Sequence, residues 1–348
     1  MIDTENARVV LVCNELQPNI DFFKERLGFR LDGISPADAP KVALMSGRGL
    51  SLELRKGVEG SPTHLRIGSG QESELRAPNG TLVELRPSAP EVSLPPIQQE
   101  LVITRLQSER GWGTGRAGMQ YRDLIPGRLG GRFIASHIRI PKGGPVPDSV
   151  HYHHIRFQMI FCVKGWVRVA YEDQGEPQRL EAGDCFLQPP GMRHQVLESS
   201  DGLEVIEIAS PAEHDTWMDH DLVLPSASVQ ANREFEGQRF VFHQASQTPW
   251  IAHVIDGFER RDLGIGAATG GLAQVAVLRP RAGHKPRAPW PSPKEFLFLY
   301  VLRGGLALEQ SGGEGFQLAA GDCASLPPGE AWTLGALDDQ LEWLEVRL

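Results

Sequence analysis

Residues 183–198 read GDCFLQPPGMRHQVLE, and a related stretch, GDCASLPPGEAWTLGA, occupies residues 321–336. Three further blocks recur at the same distance, at residues 121–124 and 260–263, 130–131 and 270–271, and 203–207 and 341–345. The offset stays between 138 and 140 residues, and such a constant period predicts two copies of one structural unit. Within each copy, short runs of alternating apolar and polar residues are separated by Gly, Pro and Asp. The repeat therefore predicts two tandem small β-sandwiches or barrels.

The composition excludes several classes of protein. A chain of 348 residues predicts two or three domains, and an apolar fraction of 41% excludes disorder throughout. The net charge of −9 argues against a nucleic-acid scaffold. No apolar run approaches the roughly 18 residues of a membrane-spanning helix. The first ten residues lack the pattern of a signal peptide, and the four cysteines are scattered, so we expect a cytoplasmic protein with reduced thiols.

A short segment precedes the repeats and is separated from them by a Pro-rich linker, which we place at residues 87–100. Residues 1–86 predict a strand, a helix whose apolar face ends at Gly28, and three further strands. This βαβββ order, with FFKERLGF at residues 22–29, resembles one module of the glyoxalase/vicinal-oxygen-chelate superfamily. The family's closing strand often carries a metal-binding Glu, and Glu84 lies in the similar stretch here. A single ligand cannot hold a metal, so we predict a degenerate α+β domain for packing, dimerisation or covering a site.

A cluster of histidines marks the first copy, where residues 151–165 read HYHHIRFQMIFCVKG. His151 and His153 are two residues apart, so on a strand they point to the same side, whereas His154 points to the other. His194 follows the Pro-Pro-Gly turn of the second stretch and converges with them if the two stretches pair as strands. Three imidazoles and the amide oxygen of Gln158 would form a divalent-metal site with positions open for water or substrate.

These two stretches resemble the two motifs of the cupin superfamily. In the first motif the two histidines and Gly165 match, Gln158 replaces the usual glutamate, and the preceding glycine pair is displaced by one position. The second motif is matched by Gly183, Pro189, Gly191 and His194. The resemblance implies a mainly β bicupin, with two tandem cupin barrels (double-stranded β-helix or jelly-roll) at residues 101–225 and 226–348. It also implies one metal held by His151, His153, Gln158 and His194.

The replacement of the glutamate by Gln158 has a chemical consequence. A neutral amide leaves the site one charge more positive, which would lower the pKa of a metal-bound water and favour an anionic substrate. The amide oxygen either binds the metal or hydrogen-bonds a water bound to it. We expect Fe(II) first, with Mn, Ni or Zn as alternatives, because histidine-rich sites accept several divalent metals.

The second copy lacks every one of these ligands. The equivalent positions are occupied by Trp290, Ser292, Leu297 and Trp332. We therefore predict a second barrel without metal chemistry, filled by large apolar side chains, with an apolar pocket lined by the two tryptophans as the alternative. Cys185 and Cys323 occupy equivalent positions, where we expect small buried side chains.

By resemblance, the function is that of a metal-dependent cupin enzyme. The first expectation is a dioxygenase-type oxygenase that acts on a small oxygenated substrate chelated to the metal. A cupin isomerase or lyase that uses the metal as a Lewis acid is an alternative, and so is a non-catalytic cupin that binds a small molecule. We expect neither nucleic acid nor membrane as a partner. The sequence leaves the oligomeric state open, with a homodimer as one alternative.

Overall fold

The computed structural model describes residues 7–58, 63–87, 92–106, 111–313 and 315–348. It divides into two compact units, residues 1–91 and residues 92–348. Strands dominate both units, and the predicted mainly β class is confirmed. Among the described residues, no helix has the length and hydropathy needed to span a bilayer.

The first unit has the predicted order of one strand, a helix and three strands. Its four-stranded sheet runs, in spatial order, Val9–Cys13, Leu50–Lys56, Val42–Gly47, Arg30–Ser35, and its first pair is parallel. The helix Leu16–Asp21 continues as the π-helical turn Phe22–Arg26. Its apolar face is buried in the core of the unit, because its apolar residues recur at helical spacing. A three-stranded sheet follows, in the order His64–Gly68, Leu82–Arg86, Ser73–Arg76.

The first copy of the repeat consists of two facing sheets. One has seven strands, in the order Val241–His243, Cys185–Leu187, Phe157–Lys164, Leu203–Ser210, Ile134–Ile140, Gln120–Asp123, Gly113–Thr114. The other follows the order Gln178–Glu181, Trp166–Tyr171, His194–Ser199, His151–His153, Thr216–Met218, with Gly144–Pro145 also paired to His194–Ser199. A short hairpin, Glu234–Phe235 with Gln238–Arg239, lies outside both sheets.

The second copy repeats this arrangement. Its seven-stranded sheet runs Ile251–Ala252, Phe258–Asp262, Gln274–Pro280, Glu342–Arg347, Leu297–Arg303, Cys323–Ser325, Val102–Thr104. Its four-stranded sheet runs Arg287–Trp290, Trp332–Ala336, Gly305–Gln310, Gly315–Ala319. The remaining helical segments of the two copies are single turns, at Arg116–Gly118, Arg128–Gly131, Ala245–Gln247 and Ile265–Ala268.

The two copies exchange edge strands. Val102–Thr104 pairs with Cys323–Ser325 of the second copy, and Val241–His243 pairs with Cys185–Leu187 of the first. Both exchanged strands lie across the boundary that the sequence suggests between the copies. The exchange is not evident from the repeat, and the domain limits themselves stay a prediction.

The two seven-stranded sheets pack against each other through one apolar core. Residues that alternate along the strands, such as Phe157, Met159 and Phe161, share this core with residues of the second copy. Phe133 stacks on Phe296 with ring centroids 4.1 Å apart. Since side chains alternate between the faces of a strand, the intervening residues, among them Gln158, face the interior of the first copy. The packing between the copies thus fixes which residues can reach the site.

An ion-pair cluster ties the two copies together, and we expect its removal to lower stability. Arg156 donates two hydrogen bonds of 3.0 Å to Glu295, and Arg132 donates a third of 2.7 Å. Replacing Glu295 with Gln should lower the free energy of unfolding by about 2 kcal/mol, because two partly buried guanidinium groups lose their charged acceptor. Chemical denaturation measures the change.

The exposed pair of Arg287 and Glu309 provides the control for that measurement. Glu309→Gln should change the free energy of unfolding by less than about 0.5 kcal/mol, because exposed ion pairs contribute little. Equal effects of the two substitutions would show that the Glu295 cluster does not hold the copies together.

Candidate metal centre and its cavity

Three histidines meet inside the first copy. The strand His151–His153 pairs with His194–Ser199 so that His151 lies directly opposite His194. The ring centroids of these two residues are 4.2 Å apart, and each lies 5.4 Å from that of His153. One ring nitrogen of each histidine lies within 4.8 Å of the others. All three side chains are buried, and this convergence requires the pairing of two stretches that are far apart in sequence.

The hydrogen bonds of the three rings select one tautomer. His151 Nδ1 lies 2.7 Å from the carbonyl oxygen of Ser149, and His194 Nδ1 lies 3.0 Å from that of Met192. His153 Nδ1 lies 3.3 Å from the carbonyl oxygen of Asp215 and 3.2 Å from the hydroxyl oxygen of Thr216, which can also accept. A carbonyl only accepts, so each Nδ1 carries the proton and each Nε2 keeps a lone pair. The Nε2 atom of His151 is buried without any hydrogen-bond partner. Three such nitrogens fit a divalent metal ion.

Burial favours the neutral form of these rings. Together with the neighbouring imidazoles of His214 and His151, it lowers the pKa of His153 to about 3. Burial, with the two other rings of the cluster, holds the pKa of His194 well below its usual range. Burial also lowers the pKa of His151. At neutral pH the rings are therefore unprotonated, which is the form that binds metal.

The metal-free protein should become less stable as the pH falls below about 6.5. The unfolded chain then takes up protons on these histidines, whereas the folded chain does not, so the free energy of unfolding falls with pH. For His153 alone the loss between pH 7.5 and 5.5 is about 1.4 kcal/mol. Urea unfolding of the wild-type protein and of a His153→Asn variant at both pH values measures it. An unchanged pH dependence in the variant would contradict the assignment.

Gln158 lines the same cavity as His153 and His194 and is held there by a carboxylate. Its Nε2 donates a hydrogen bond of 2.7 Å to Oε1 of Glu207, on the adjacent strand. An ionised carboxylate only accepts hydrogen bonds, so the amide nitrogen of Gln158 is directed at Glu207 and its oxygen is left for another partner. The sequence did not indicate Glu207 as a site residue. The available signal was its alternation with Val205, which places both on the interior face.

The cavity beside the histidines has a volume of about 420 Å³. Its polar lining includes residues that the sequence reading missed, notably Arg116 and Thr216. Arg116 forms an ion pair with the buried Asp148, whose other oxygen lies 3.6 Å from His151 Nδ1. These groups give the histidines polar surroundings.

The segment 212–225 contributes directly to this site. Within it, Thr216–Met218 is a strand paired with His151–His153. His214 lines the cavity, and its ring centroid lies 5.2 Å from that of His153. The pairing follows from extended chain beside an otherwise unpaired sheet edge, which the sequence pattern did not reveal.

Other polar residues near the histidines in sequence have different roles. Gln188 lines the cavity. The guanidinium carbon of Arg193 lies 4.1 Å from the ring centroid of Tyr152. Glu198 forms an ion pair of 3.1 Å with Arg168. The ring of His154 contacts Tyr152 and Trp217. The four cysteines are buried free thiols, as predicted for Cys185 and Cys323.

The second copy is filled where the first is open. Trp290 and Trp332, which replace His151 and His194, are 4% and 2% exposed and belong to one apolar core. Trp290 Nε1 donates a hydrogen bond of 2.8 Å to Glu345, the counterpart of Glu207. Glu345 also pairs with Arg347, whereas Glu207 has no salt bridge among the described residues. The predicted structural role of the tryptophans agrees with this packing.

The same fold occurs in known proteins. Residues 136–208 match the family described as the cupin domain. The structure resembles that of salicylate 1,2-dioxygenase from Pseudaminobacter salicylatoxidans, with a TM-score of 0.52, 17% identity and coverage of 73% of this chain and 86% of that one. It also resembles the oxalate decarboxylase formate complex of Lactobacillus farciminis, with a TM-score of 0.51, 16% identity and coverage of 73% and 89%.

Protein Ylba from E. coli is similar to the same extent, with a TM-score of 0.51, 12% identity and coverage of 74% of this chain and 94% of that one. No curated protein matches the sequence significantly. At these identities the likeness shows the fold. The chain therefore contains a cupin domain and has a bicupin fold. In each copy, the strand pairings of the described residues form two separate sheets that face each other. The glyoxalase-like resemblance of residues 1–86 stays a prediction.

Proposed function

We propose that the first copy is a metal-dependent enzyme of dioxygenase type, which acts on a small oxygenated organic substrate chelated at the metal. The observation that carries the proposal is the convergence of three buried imidazoles, with one ring nitrogen of each within 4.8 Å of the others, beside an open cavity. His151, His153 and His194 would hold the ion, with the oxygen of Gln158 as a fourth donor. A bound ion, Fe(II) first and Mn, Ni or Zn as alternatives, would supply Lewis acidity and, when redox-active, reactivity with O₂.

The residues around the histidines orient the rings, orient Gln158 and line the cavity. The carbonyl oxygens of Ser149, Met192 and Asp215 hold the rings in the metal-binding tautomer. Glu207 keeps the Gln158 amide in place. Apolar side chains line most of the rest of the cavity, and an apolar lining strengthens electrostatic interactions within it.

Glu207 supports a second candidate function, that of a cupin isomerase or lyase. Its carboxylate lines the cavity, and its described partner is the neutral amide of Gln158. A carboxylate without a cationic partner can accept a proton from a carbon or hydroxyl group of a bound substrate. Such a reaction would use the metal as a Lewis acid and would consume no O₂.

One experiment separates these functions. The metal-free protein is reconstituted anaerobically with Fe(II), Mn(II) or Zn(II) and supplied with pentane-2,4-dione or catechol as probes. Coupled loss of probe and O₂, recorded with an oxygen electrode and by chromatography, would support the dioxygenase. Turnover without O₂ would support the isomerase or lyase. Probe binding without any product would favour the non-catalytic alternative and contradict both enzymes.

A cytoplasmic location and a homodimer belong to the same proposal. Cell fractionation tests the location, and light scattering coupled to size-exclusion chromatography tests the oligomeric state. Recovery of a monomer would remove the homodimer from the proposal without changing the site.

A further inference from the structure

The cavity is polar near the histidines and apolar beyond them. Strand register shows this directly. Tyr171 lies opposite His194 and Val169 lies opposite Val196, and Val167 follows two residues further from the histidines along the same strand. The facing sheet also changes from polar to apolar with distance from the histidines. Gln158 and Glu207 lie at its polar end. Along the strand of Glu207, Val205 and Leu203 come next, and they lie opposite Ile138 and Ile140. The apolar part of the lining is completed by Met119, Ile160, Leu180 and Phe186.

The second copy shows what the same space looks like when it is filled. The counterpart of Val205 is Trp343, which is fully buried and lies 5.6 Å from Trp290, measured between ring centroids. The first copy therefore has an apolar side chain at this position, as the second copy does, but a much smaller one that leaves space unfilled. Water is poorly stabilised in a cavity lined by aliphatic side chains, because it finds few hydrogen-bond partners there. Protein interiors otherwise pack without large voids. The open space is therefore suited to an apolar ligand group.

We infer that the substrate carries a metal-chelating oxygen head and an apolar body at least as large as a phenyl ring. This inference rests on the proposed function, because the head is placed at the histidines. The distance along the strands sets the size. Two residue steps from His194 to Val196 span about 7 Å, and two more reach Val167 and Leu180. A short dicarboxylate would leave this apolar half of the cavity unfilled.

Two hydroxamates that share one chelating head test the inference. Acetohydroxamate and benzohydroxamate are titrated calorimetrically into the Zn(II)-loaded protein and into the metal-free protein. Benzohydroxamate should bind the loaded protein about 30-fold more tightly, after correction for the affinity of each compound for free Zn(II). Equal corrected affinities for the loaded protein would overturn the apolar substrate class while leaving chelation at the metal intact. Failure of both compounds to bind the metal-loaded protein would instead contradict the proposed function.

Substitutions of Val205 locate the effect in the cavity. Val205→Trp copies the second barrel and should remove the preference for benzohydroxamate while acetohydroxamate still binds. Val205→Thr keeps the size and adds a hydroxyl group, so the preference should fall several-fold in a variant that retains the fold. Zinc content and thermal unfolding confirm that each variant is folded and loaded. An unchanged preference in both variants would show that the apolar group does not occupy this cavity.

Discussion

Replacing His194 with alanine should reduce the metal affinity of the protein at least about 100-fold, so that the purified variant retains almost no metal. The expectation follows from the geometry of the cluster. His194 is one of three buried rings whose nitrogens lie within 4.8 Å of one another. The two rings that remain, with the neutral oxygen of Gln158, form a much weaker ligand set than three imidazoles and an amide. Elemental analysis of protein produced without a His-tag measures the loss.

His154→Ala provides the matched control, because His154 lies on the same segment but its ring contacts Tyr152 and Trp217. This variant should keep the wild-type metal content. The competing possibility is that loss of His194 only destabilises the fold, and thermal unfolding of the metal-free proteins resolves it. Wild-type metal content in a folded His194→Ala variant would remove the basis for the metal centre and for the proposed function.

The second large effect concerns the pair formed by Gln158 and Glu207. In a Glu207→Gln variant the carboxylate, which only accepts, is replaced by an amide that can present either its oxygen or its NH2 group. The orientation of the Gln158 amide is then no longer fixed, and metal affinity should fall about 10-fold to 100-fold. In a Gln158→Glu variant two carboxylates would lie at hydrogen-bond distance. Their repulsion should raise the pKa of one of them, so metal binding should become strongly pH-dependent and weaker at pH 6 than at pH 8.

The double variant Gln158→Glu with Glu207→Gln tests both effects together. It restores the hydrogen bond with its donor and acceptor exchanged, and it places a carboxylate at the motif position. We expect an affinity at least about tenfold above that of the wild-type protein, because an anionic ligand replaces a neutral one. Competition with a chromophoric chelator at the two pH values measures all four proteins. Additive effects of the two single substitutions would show that the residues act independently.

Several features of this protein could be predicted from local sequence. The repeated Gly-Asp-Cys and Pro-Pro-Gly blocks identified two copies, because turns depend on residues adjacent in the chain. The spacing of His151 and His153 indicated a shared face, because side chains alternate along a strand. The tryptophans of the second copy indicated a filled interior, and Trp290 and Trp332 are buried there.

Other features depend on pairings between distant segments. Glu207 becomes relevant only because its strand lies beside Gln158, and the pair Ile160 and Glu207 sets that register. Thr216–Met218 joins the sheet of the histidines, although it lies within an acidic stretch at residues 212–225. One exchanged edge strand connects residues more than 200 positions apart, such as Thr104 and Cys323, and the other connects Cys185 with His243.

The sequence by itself determined that the chain contains two β-rich copies, that the first carries a histidine trio and that the second has lost it. Tertiary structure alone decided the tautomer of each ring, the carboxylate that holds Gln158 and the apolar depth of the cavity. The physical reason is the range of the interactions. Turns and strand alternation are set by neighbouring residues, whereas hydrogen-bond partners and enclosed volume arise only when separate strands pack together.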